Sequence, residues 1–226
     1  MRKLEVIVMT EGEARIAEAG GADRLELVRD LDSGGLTPEI EMVRAVTAAV
    51  SIPVRVMLRE NGSMAVANAA ELKALQTKAL QMRELPVDGF VMGWITTAGA
   101  VDMASLATVL TCTGKHNVTF HRAFEHLADP FEGLRVLKQF SQIDKILTNG
   151  GAGSWVDRKL RLRAWSKAAA PEIGILVGGG LSEDEIADLM GDSNFPEVHV
   201  GRAARIPQEN DGTLDAAKIA LLKKTA

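Results

Sequence analysis

The stretch NVTFHRAFEHLADPFEGLRVLKQFSQIDKILT, residues 117–148, contains two short β-rich runs separated by an amphipathic segment. Residues 117–121 and 143–148 have the length and the β-branched content of strands, whereas residues 129–140 carry apolar side chains at helical spacing. Asp129 followed by Pro130 is a typical helix start, because aspartate caps free N–H groups and proline suits the first turn. The stretch therefore predicts a strand–helix–strand unit.

The same alternation extends over the whole chain. Six further strand candidates, which bring the total to eight, are residues 3–8, 23–28, 53–58, 87–92, 172–177 and 196–200. The other helical patterns are residues 11–21, 38–50, 68–85, 102–114, 154–169 and 182–191. Because no linker interrupts this α/β series, it favours a (β/α)8 TIM barrel over an open sheet. We expect residues 1–226 to form a single domain, with residues 206–226 as a C-terminal loop and closing helix.

Composition narrows the classes of function. The 226 residues carry a formal net charge of −4, with 25% charged and 46% hydrophobic residues, as is usual for a soluble globular protein. The chain has no basic stripe, which argues against a nucleic-acid partner. It also has neither a signal peptide nor an apolar run near the ~18 residues that a membrane helix needs, so we expect a cytoplasmic protein without a membrane partner. The single cysteine, Cys112, argues against a disulfide framework and a Cys-rich metal cage.

Charged residues lie inside several predicted strands. Alternate strand residues face the barrel interior or the surrounding helices, and Leu25 and Leu27 share the parity that suits the helices. Arg24, Glu26 and Val28 should therefore point inward. A buried ion-pair layer that fixes strand register and a functional site are both compatible with this pattern. By the same parity, the inward residues of the other strands are Glu5, Ile7, Arg55, Met57, Arg59, Thr119, His121 and His199.

The C-terminal ends of the strands are the expected ligand site, because this fold binds ligands on that face. The arginines gathered there predict a positive mouth that takes a small anion, either a carboxylate or a phosphate. Glu5, Glu26 and His121 are the candidate catalytic residues, since they can act as acids or bases. The candidate ligand-binding residues are Arg24, Arg55, Arg59, Arg122, His199 and Arg202, together with Gly178, Gly179, Gly180 and Gly201.

The glycines occur in ILVGGGLSEDEI, residues 175–186, and HVGRAAR, residues 199–205. Loops after the seventh and eighth strands of this fold often bind phosphate through unobstructed backbone N–H groups. Tight turns that require positive φ are the alternative explanation, above all for Gly180. His121 could equally be a packed, hydrogen-bonded histidine, and His116 and His126 are expected at the surface.

Six motifs occur together and in order between Glu5 and about Arg205, and in this combination the chain resembles the CutC family. The resemblance implies a cytoplasmic (β/α)8 barrel, a homo-oligomer, and a role in copper homeostasis and copper binding. The motifs are GGADRLELVRDLDSGGLTPE (residues 20–39), PVRVMLRE (53–60), VTFHRAFE (118–125), DKILTNGG (144–151), ILVGGGLS (175–182) and EVHVGRAAR (197–205).

The family's proposed copper(I) ligands are cysteines on the first two strands, at the positions of Ile7 and Val28 in this chain. Neither side chain has a donor atom, and Cys112 is expected at the opposite end of the barrel. The remaining candidate copper donors are Met9 and Met57 with His121 or His199, although such methionines more often serve packing. Copper handling, an enzyme or binding protein for a small anion, and a barrel that acts only through its oligomer or a partner are therefore three separate hypotheses. No other cofactor is predicted.

Overall fold

The computed structural model describes residues 2–224, in which eight parallel strands close into one barrel and confirm the predicted (β/α)8 fold. The strands are β1 (Lys3–Val8), β2 (Arg24–Leu27), β3 (Val54–Met57), β4 (Gly89–Met92), β5 (Asn117–Phe120), β6 (Ile143–Thr148), β7 (Gly174–Gly178) and β8 (Glu197–Val200). The helices are α1 (Glu11–Ala19), α2 (Ile40–Ala49), α3 (Ala69–Met82), α4 (Met103–Leu110), α5 (Pro130–Leu137), α6 (Trp155–Ala169), α7 (Glu183–Met190) and α8 (Ala216–Lys224).

Side-chain caps fix where several helices begin after the mouth loops. The Asp129 side chain accepts hydrogen bonds from the N–H groups of residues 131 and 132, and Pro130 stands at the first position of α5. Ser182 and Glu185 form a reciprocal capping box at the start of α7. Because each cap satisfies N–H groups that a helix leaves unpaired, the loop before it ends at a defined residue.

The last part of the chain returns to the barrel wall. After a short 3-10 helix, Arg202–Ala204, strand β9 (Arg205–Ile206) pairs antiparallel with β10 (Thr213–Leu214). The buried Arg205 guanidinium donates to Glu13 of α1 at 2.7 and 3.0 Å, and helix α8 follows. The tail anticipated over residues 206–226 thus contains a hairpin before its helix, and residues 225 and 226 lie outside the described part.

Two apolar regions lie on the two sides of the barrel wall. Outward-facing strand residues such as Leu25 and Leu27 join the helices in a continuous core. Val28, Met57 and Val91 form a smaller cluster inside the barrel; Ile7, Met9 and Leu31 pack against it, and we call these six residues the inner apolar cluster. No helix within residues 2–224 combines the length and apolarity that a membrane crossing requires.

At the N-terminal ends of the strands, the barrel interior is closed by ion pairs that we call the lower polar layer. The Arg55 guanidinium donates to both carboxylate oxygens of Asp144, at 2.8 and 2.7 Å, to Asp88 at 3.0 Å and to the Thr119 hydroxyl at 2.6 Å. Since these partners come from β5, from β6 and from the residue before β4, Arg55 ties four neighbouring strands together. The members of the layer are Arg24, Arg55, Asp88, Thr119, Asp144, Lys145 and Glu197.

We expect Arg55→Met to lower the free energy of unfolding by about 2 to 3 kcal/mol. The buried Thr119 hydroxyl and the half-buried carboxylates lose their donor, and the partial exposure of Asp88 and Asp144 keeps the loss below that of a fully buried pair. Urea titration measures the change. Arg135→Met, which breaks an exposed pair on α5, is the control and should leave the urea midpoint where it is. An Arg55→Met midpoint equal to that of the parent would contradict a structural role for the layer.

Candidate active site

A cavity of about 790 Å³ opens at the C-terminal ends of the strands. It contains most of the site residues that the sequence predicts, but not Glu5, Arg24, Arg55 or Gly178, which lie outside its lining. Arg24 and Arg55 face carboxylates at the opposite end of the barrel, so the ligand-binding role predicted for them has no support from their position. The predicted residues that do line the cavity are Glu26, Met57, Arg59, His121, Arg122, Gly179, Gly180, His199, Gly201 and Arg202.

His199 lies between two buried carboxylates at the floor of the cavity. Its Nδ1 is 2.7 Å from one oxygen of Glu5, and its Nε2 is 3.5 Å from one oxygen of Glu26. The other oxygen of Glu5 accepts a hydrogen bond from Arg24. Glu5 pairs with His199 in the β1–β8 register, and Glu26 stands opposite Ile7 in the β1–β2 register. The stagger of the barrel strands therefore places Glu5, His199 and Glu26 in a row, which we call the acid–base row.

Gly178 positions His199 and does not contact the cavity. A Cβ atom at Gly178 would lie 2.6 Å from the His199 Cβ, a separation that no side chain can accept. Gly179 and Gly180 do line the cavity, and their φ angles of +109° and +73° are those of a turn that glycine favours. The turn explanation is therefore correct for the backbone of both residues, and the phosphate explanation stays a prediction.

Burial and neighbouring charges shift the pKa values of the acid–base row in different directions. Burial alone would raise the pKa of Glu5, but the Arg24 guanidinium and the His199 hydrogen bond hold that pKa well below its usual range. Burial raises the pKa of Glu26 to about 7. Burial alone would lower the pKa of His199, yet the Glu26 and Glu5 carboxylates raise it. Glu5 is thus a fixed anion, whereas Glu26 and His199, whose pKa values are both raised, are the groups here that can hold a proton.

His121 lies at the end of β5 with its ring buried at the cavity wall. Its Nδ1 accepts a hydrogen bond from the Ala123 N–H at 3.1 Å, and its Nε2 is buried without a partner within residues 2–224. Burial, together with the positive charges of Arg59 and Arg122, lowers the pKa of His121 to about 3. The imidazole is therefore neutral at physiological pH.

The three arginines of the mouth differ in their partners. Arg59 donates to the backbone carbonyls of Ser63, Gly34 and Gly62 at 3.3, 3.1 and 2.6 Å, and so joins the loops after β2 and β3. Arg122, exposed in the 3-10 helix Arg122–His126, pairs with Glu125 at 2.7 Å.

The guanidinium of Arg202 has no hydrogen-bond or ion-pair partner among the described residues, whereas its backbone carbonyl accepts from the Arg205 N–H. One of its terminal nitrogens lies 3.3 Å from where a Cβ of Gly180 would be. The positively charged Arg202 guanidinium is therefore available to an anionic ligand next to the glycine turn after β7.

Several residues of the cavity were not anticipated. The loop after β2 supplies Asp32 and Ser33, and the C-terminal tail supplies Gln208 and Asn210. Asn210 donates to the Asp32 carboxylate at 3.0 Å, which connects the two segments. The glycine pair at 34–35 is a turn signal that could have indicated the first segment, whereas nothing in the tail sequence indicates that it reaches the mouth.

The sequence also predicts the location of three residues that lie outside the cavity. Cys112 is buried in the connection between α4 and β5, which places it at the N-terminal end of the barrel. His126 is exposed, as expected. The surface assignment of His116 is wrong, because its ring is half-buried, packs edge-on against Phe90 and lies 3.0 Å from the Arg83 carbonyl.

The donors at the cavity floor do not fit copper(I). One ligand atom from each of Glu5, Glu26 and His199 lies within 4.8 Å of the others, but both oxygens of Glu5 already have partners. Nitrogen and carboxylate oxygen suit harder divalent cations, whereas copper(I) prefers sulfur. Ile7 and Val28 are hydrocarbon members of the inner apolar cluster, so the positions that resemble the family's ligands supply no donor.

Comparison with known proteins identifies relatives over almost the full length of the chain. The CutC family profile matches residues 2–204. The CutC family protein of Xanthomonas axonopodis pv. citri is 35% identical over 210 residues, covering 90% of this chain and 86% of the relative. That of Salmonella paratyphi B is 31% identical over 208 residues, covering 92% and 82%.

Two solved structures illustrate the shared fold. A CutC protein from Streptococcus agalactiae, suggested to act in copper homeostasis, superposes with a TM-score of 0.82 at 24% identity, covering 89% of this chain and 98% of that one. Phosphoribosyl anthranilate isomerase from Thermococcus kodakaraensis superposes with a TM-score of 0.64 at 18% identity, covering 100% and 98%. At these identities the superpositions concern the barrel fold alone.

The raised pKa of Glu26 predicts a pH-dependent contribution to stability. Between its usual value of 4.5 and about 7, the folded protein keeps a proton that the unfolded chain has released. The contribution of Glu26 is therefore present below pH 4.5 and is lost as the pH rises through about 7. Relative to Glu26→Gln, we expect the parent's free energy of unfolding to fall by about 1 to 3 kcal/mol over this window.

Urea titrations at several pH values measure that difference. Glu41→Gln, at an exposed position of α2, is the matched control and should follow the parent at every pH. If the curves of the parent and Glu26→Gln run parallel, Glu26 is not protonated in the folded protein near neutral pH.

Proposed function

The chain belongs to the CutC family, and we propose that this member is an enzyme that moves a proton on a small phosphorylated or carboxylated metabolite at the barrel mouth. One observation carries the proposal. Glu26 is buried at the cavity floor with one carboxyl oxygen facing His199 and the other without a partner within residues 2–224. A buried carboxyl that lacks a hydrogen-bond partner is unfavourable for stability, and such groups mark sites that act on a ligand.

The surrounding row is suited to acid–base chemistry. Because Glu5 remains an anion, it accepts the Nδ1–H of His199 and leaves Nε2 directed at Glu26. Nε2 and the Glu26 carboxyl can then share one proton, which Glu26 gives to the ligand or takes from it. A group whose pKa is near 7 transfers protons efficiently in both directions at physiological pH. Glu5 is the positioning residue in this row, since it orients the ring without reaching the ligand.

The rim supports an anionic ligand. The Arg202 guanidinium has no partner in the described part of the chain, and Gly180 beside it leaves the backbone open to close approach. A cavity of about 790 Å³ suits a metabolite rather than a macromolecule. Arg122 contributes less to anion binding, because Glu125 already neutralises it.

Copper handling is the role that family resemblance implies. Ile7 and Val28 supply no donor, and the thioethers of Met9 and Met57 beside them stand without the two thiolates that the resemblance implies, so we place the proton-transfer function first. The homo-oligomer and the cytoplasmic location stay predictions.

Replacing Arg202 tests the anion site. We expect Arg202→Ala to weaken binding of pyrophosphate, measured by isothermal titration calorimetry, about tenfold, because one charge-assisted contact is lost. Arg44→Ala, at an exposed position on the outer helix α2, is the control and should bind as the parent does. Equal affinity in all three proteins, or no binding by the parent, would overturn the anion site.

Installing thiols tests the copper hypothesis. The parent should not retain copper(I) after reductive loading and desalting, whereas a double variant with Ile7→Cys and Val28→Cys should retain about one equivalent per chain. Both positions belong to the inner apolar cluster, where two thiolates would supply the soft donors that are missing. Stoichiometric copper(I) in the parent, lost in Met57→Leu or His121→Ala, would instead favour the copper role.

A further inference from the structure

We propose that the Nε2–H of His121 is a neutral hydrogen-bond donor for a carbonyl oxygen of the ligand, so that the substrates of this site are phosphorylated or carboxylated ketones or aldehydes. The inference rests on the proposed proton-transfer function and names its substrate class. It assigns to His121 a role distinct from that of the acid–base row at Glu26.

The hydrogen bonding of the ring fixes where its proton lies. The Ala123 backbone N–H can only donate, and it donates to Nδ1 of His121 at 3.1 Å. Nδ1 must therefore carry a lone pair, and a neutral imidazole then has its hydrogen on Nε2. Nε2 is buried and meets no acceptor within residues 2–224, and the His121 residue lines the cavity. A buried donor without a partner destabilises the unliganded protein, so a ligand oxygen is the acceptor that the site lacks.

The surroundings keep the ring neutral and fixed. Arg59 and Arg122 oppose a second proton on the imidazole. Gly93, just after β4, leaves the space that the ring occupies, because a Cβ there would lie 3.0 Å from Nδ1 and 3.2 Å from the Phe120 ring. The donor thus keeps its direction without a carboxylate partner.

The cavity that His121 lines is also lined by Glu26, whose pKa is about 7. A neutral hydrogen-bond donor and a base of this pKa in one cavity suit the abstraction of a proton from the carbon next to a carbonyl group. Ionised Glu26 takes the proton from the carbon adjacent to the carbonyl, the C–H electron pair forms a C=C bond, and the carbonyl π pair moves to oxygen. The enolate oxygen accepts the His121 Nε2–H more strongly than the ketone did. When the adjacent carbon carries a hydroxyl group, the hydroxyl proton moves to the former carbonyl oxygen, Glu26 returns its proton to the former carbonyl carbon, and the other oxygen becomes the new carbonyl oxygen. Substrate and product are then isomers, and no co-reactant is consumed.

The composition of the cavity favours this route over covalent activation. No lysine lines the cavity within the described part of the chain, so there is no amine to form an iminium with a carbonyl substrate. Hydrogen bonds can supply the activation of the carbonyl group instead. His121 is the buried lining residue whose donor is unpaired, whereas Arg59 spends its donors on backbone carbonyls.

Two probes separate a carbonyl-type donor from general anion binding. Inorganic phosphate has only the anion, whereas 2-phosphoglycolate adds a planar carboxylate whose oxygens resemble an enolate. We expect the parent to bind 2-phosphoglycolate more tightly than phosphate, and His121→Phe to reduce the ratio of the two affinities about tenfold. His121→Gln keeps an N–H donor and should recover part of the ratio. His126→Phe, at an exposed position of the same 3-10 helix, should leave the ratio unchanged.

Nuclear magnetic resonance of ¹⁵N-histidine-labelled parent protein reads the donor directly. We expect the His121 proton on Nε2 at neutral pH and a downfield shift of that proton when 2-phosphoglycolate is added. A proton on Nδ1, a doubly protonated ring, or a ratio that His121→Phe leaves intact would overturn the assignment. If neither phosphate nor 2-phosphoglycolate binds the parent, the anion site itself fails and the inference falls with it. If both bind and only the ratio or tautomer is contrary, the inference alone fails.

Discussion

The Glu5 carboxylate is the interaction on which the two halves of the barrel interior depend. One of its oxygens accepts from Arg24 in the lower polar layer, and the other accepts from His199 at the cavity floor. Arg24 keeps Glu5 ionised, and an ionised Glu5 in turn orients the His199 ring and, together with Glu26, raises the pKa of His199. A structural ion pair and an acid–base group are therefore linked through one side chain, as outer partners of catalytic groups commonly are.

Depth along the strand decides what a buried charge does here. Arg55 and Arg59 share a parity and are four residues apart, yet Arg55 is bonded to two carboxylates while Arg59 is bonded to backbone carbonyls. Charges near the N-terminal ends meet partners from neighbouring strands and stabilise the barrel. Those near the C-terminal ends face a cavity, where Glu26 and His121 retain unpaired polar atoms. Buried polar atoms without a partner reduce stability, and such a cost is typical of functional sites.

The fold and the direction of the strand side chains followed from the sequence, because both depend on local periodicity. Residues 3–8 and 143–148 form strands with the expected bounds, and Arg24 and Glu26 face inward. The partners of Arg55 did not follow, since Asp88 and Asp144 are brought to it by the stagger of the closed barrel. The tail residue Asn210 was also missed, because a hairpin that carries no ligand-binding signal places it at the mouth.

The apolar residues beside Glu26 affect both the capacity to bind copper and the pKa of the Glu26 carboxyl. Ile7 stands opposite Glu26 in the β1–β2 register, and Val28 is the next inward-facing residue after Glu26 along the chain. Hydrocarbon at these positions offers a metal nothing, but it withholds water and hydrogen-bond donors from the Glu26 carboxyl and so favours its protonated form. Thiolates there would add negative charge beside Glu26 and create a soft metal site. Hydrocarbon at the two positions where the resemblance implies thiols thus favours a Glu26 carboxyl that holds a proton near neutral pH.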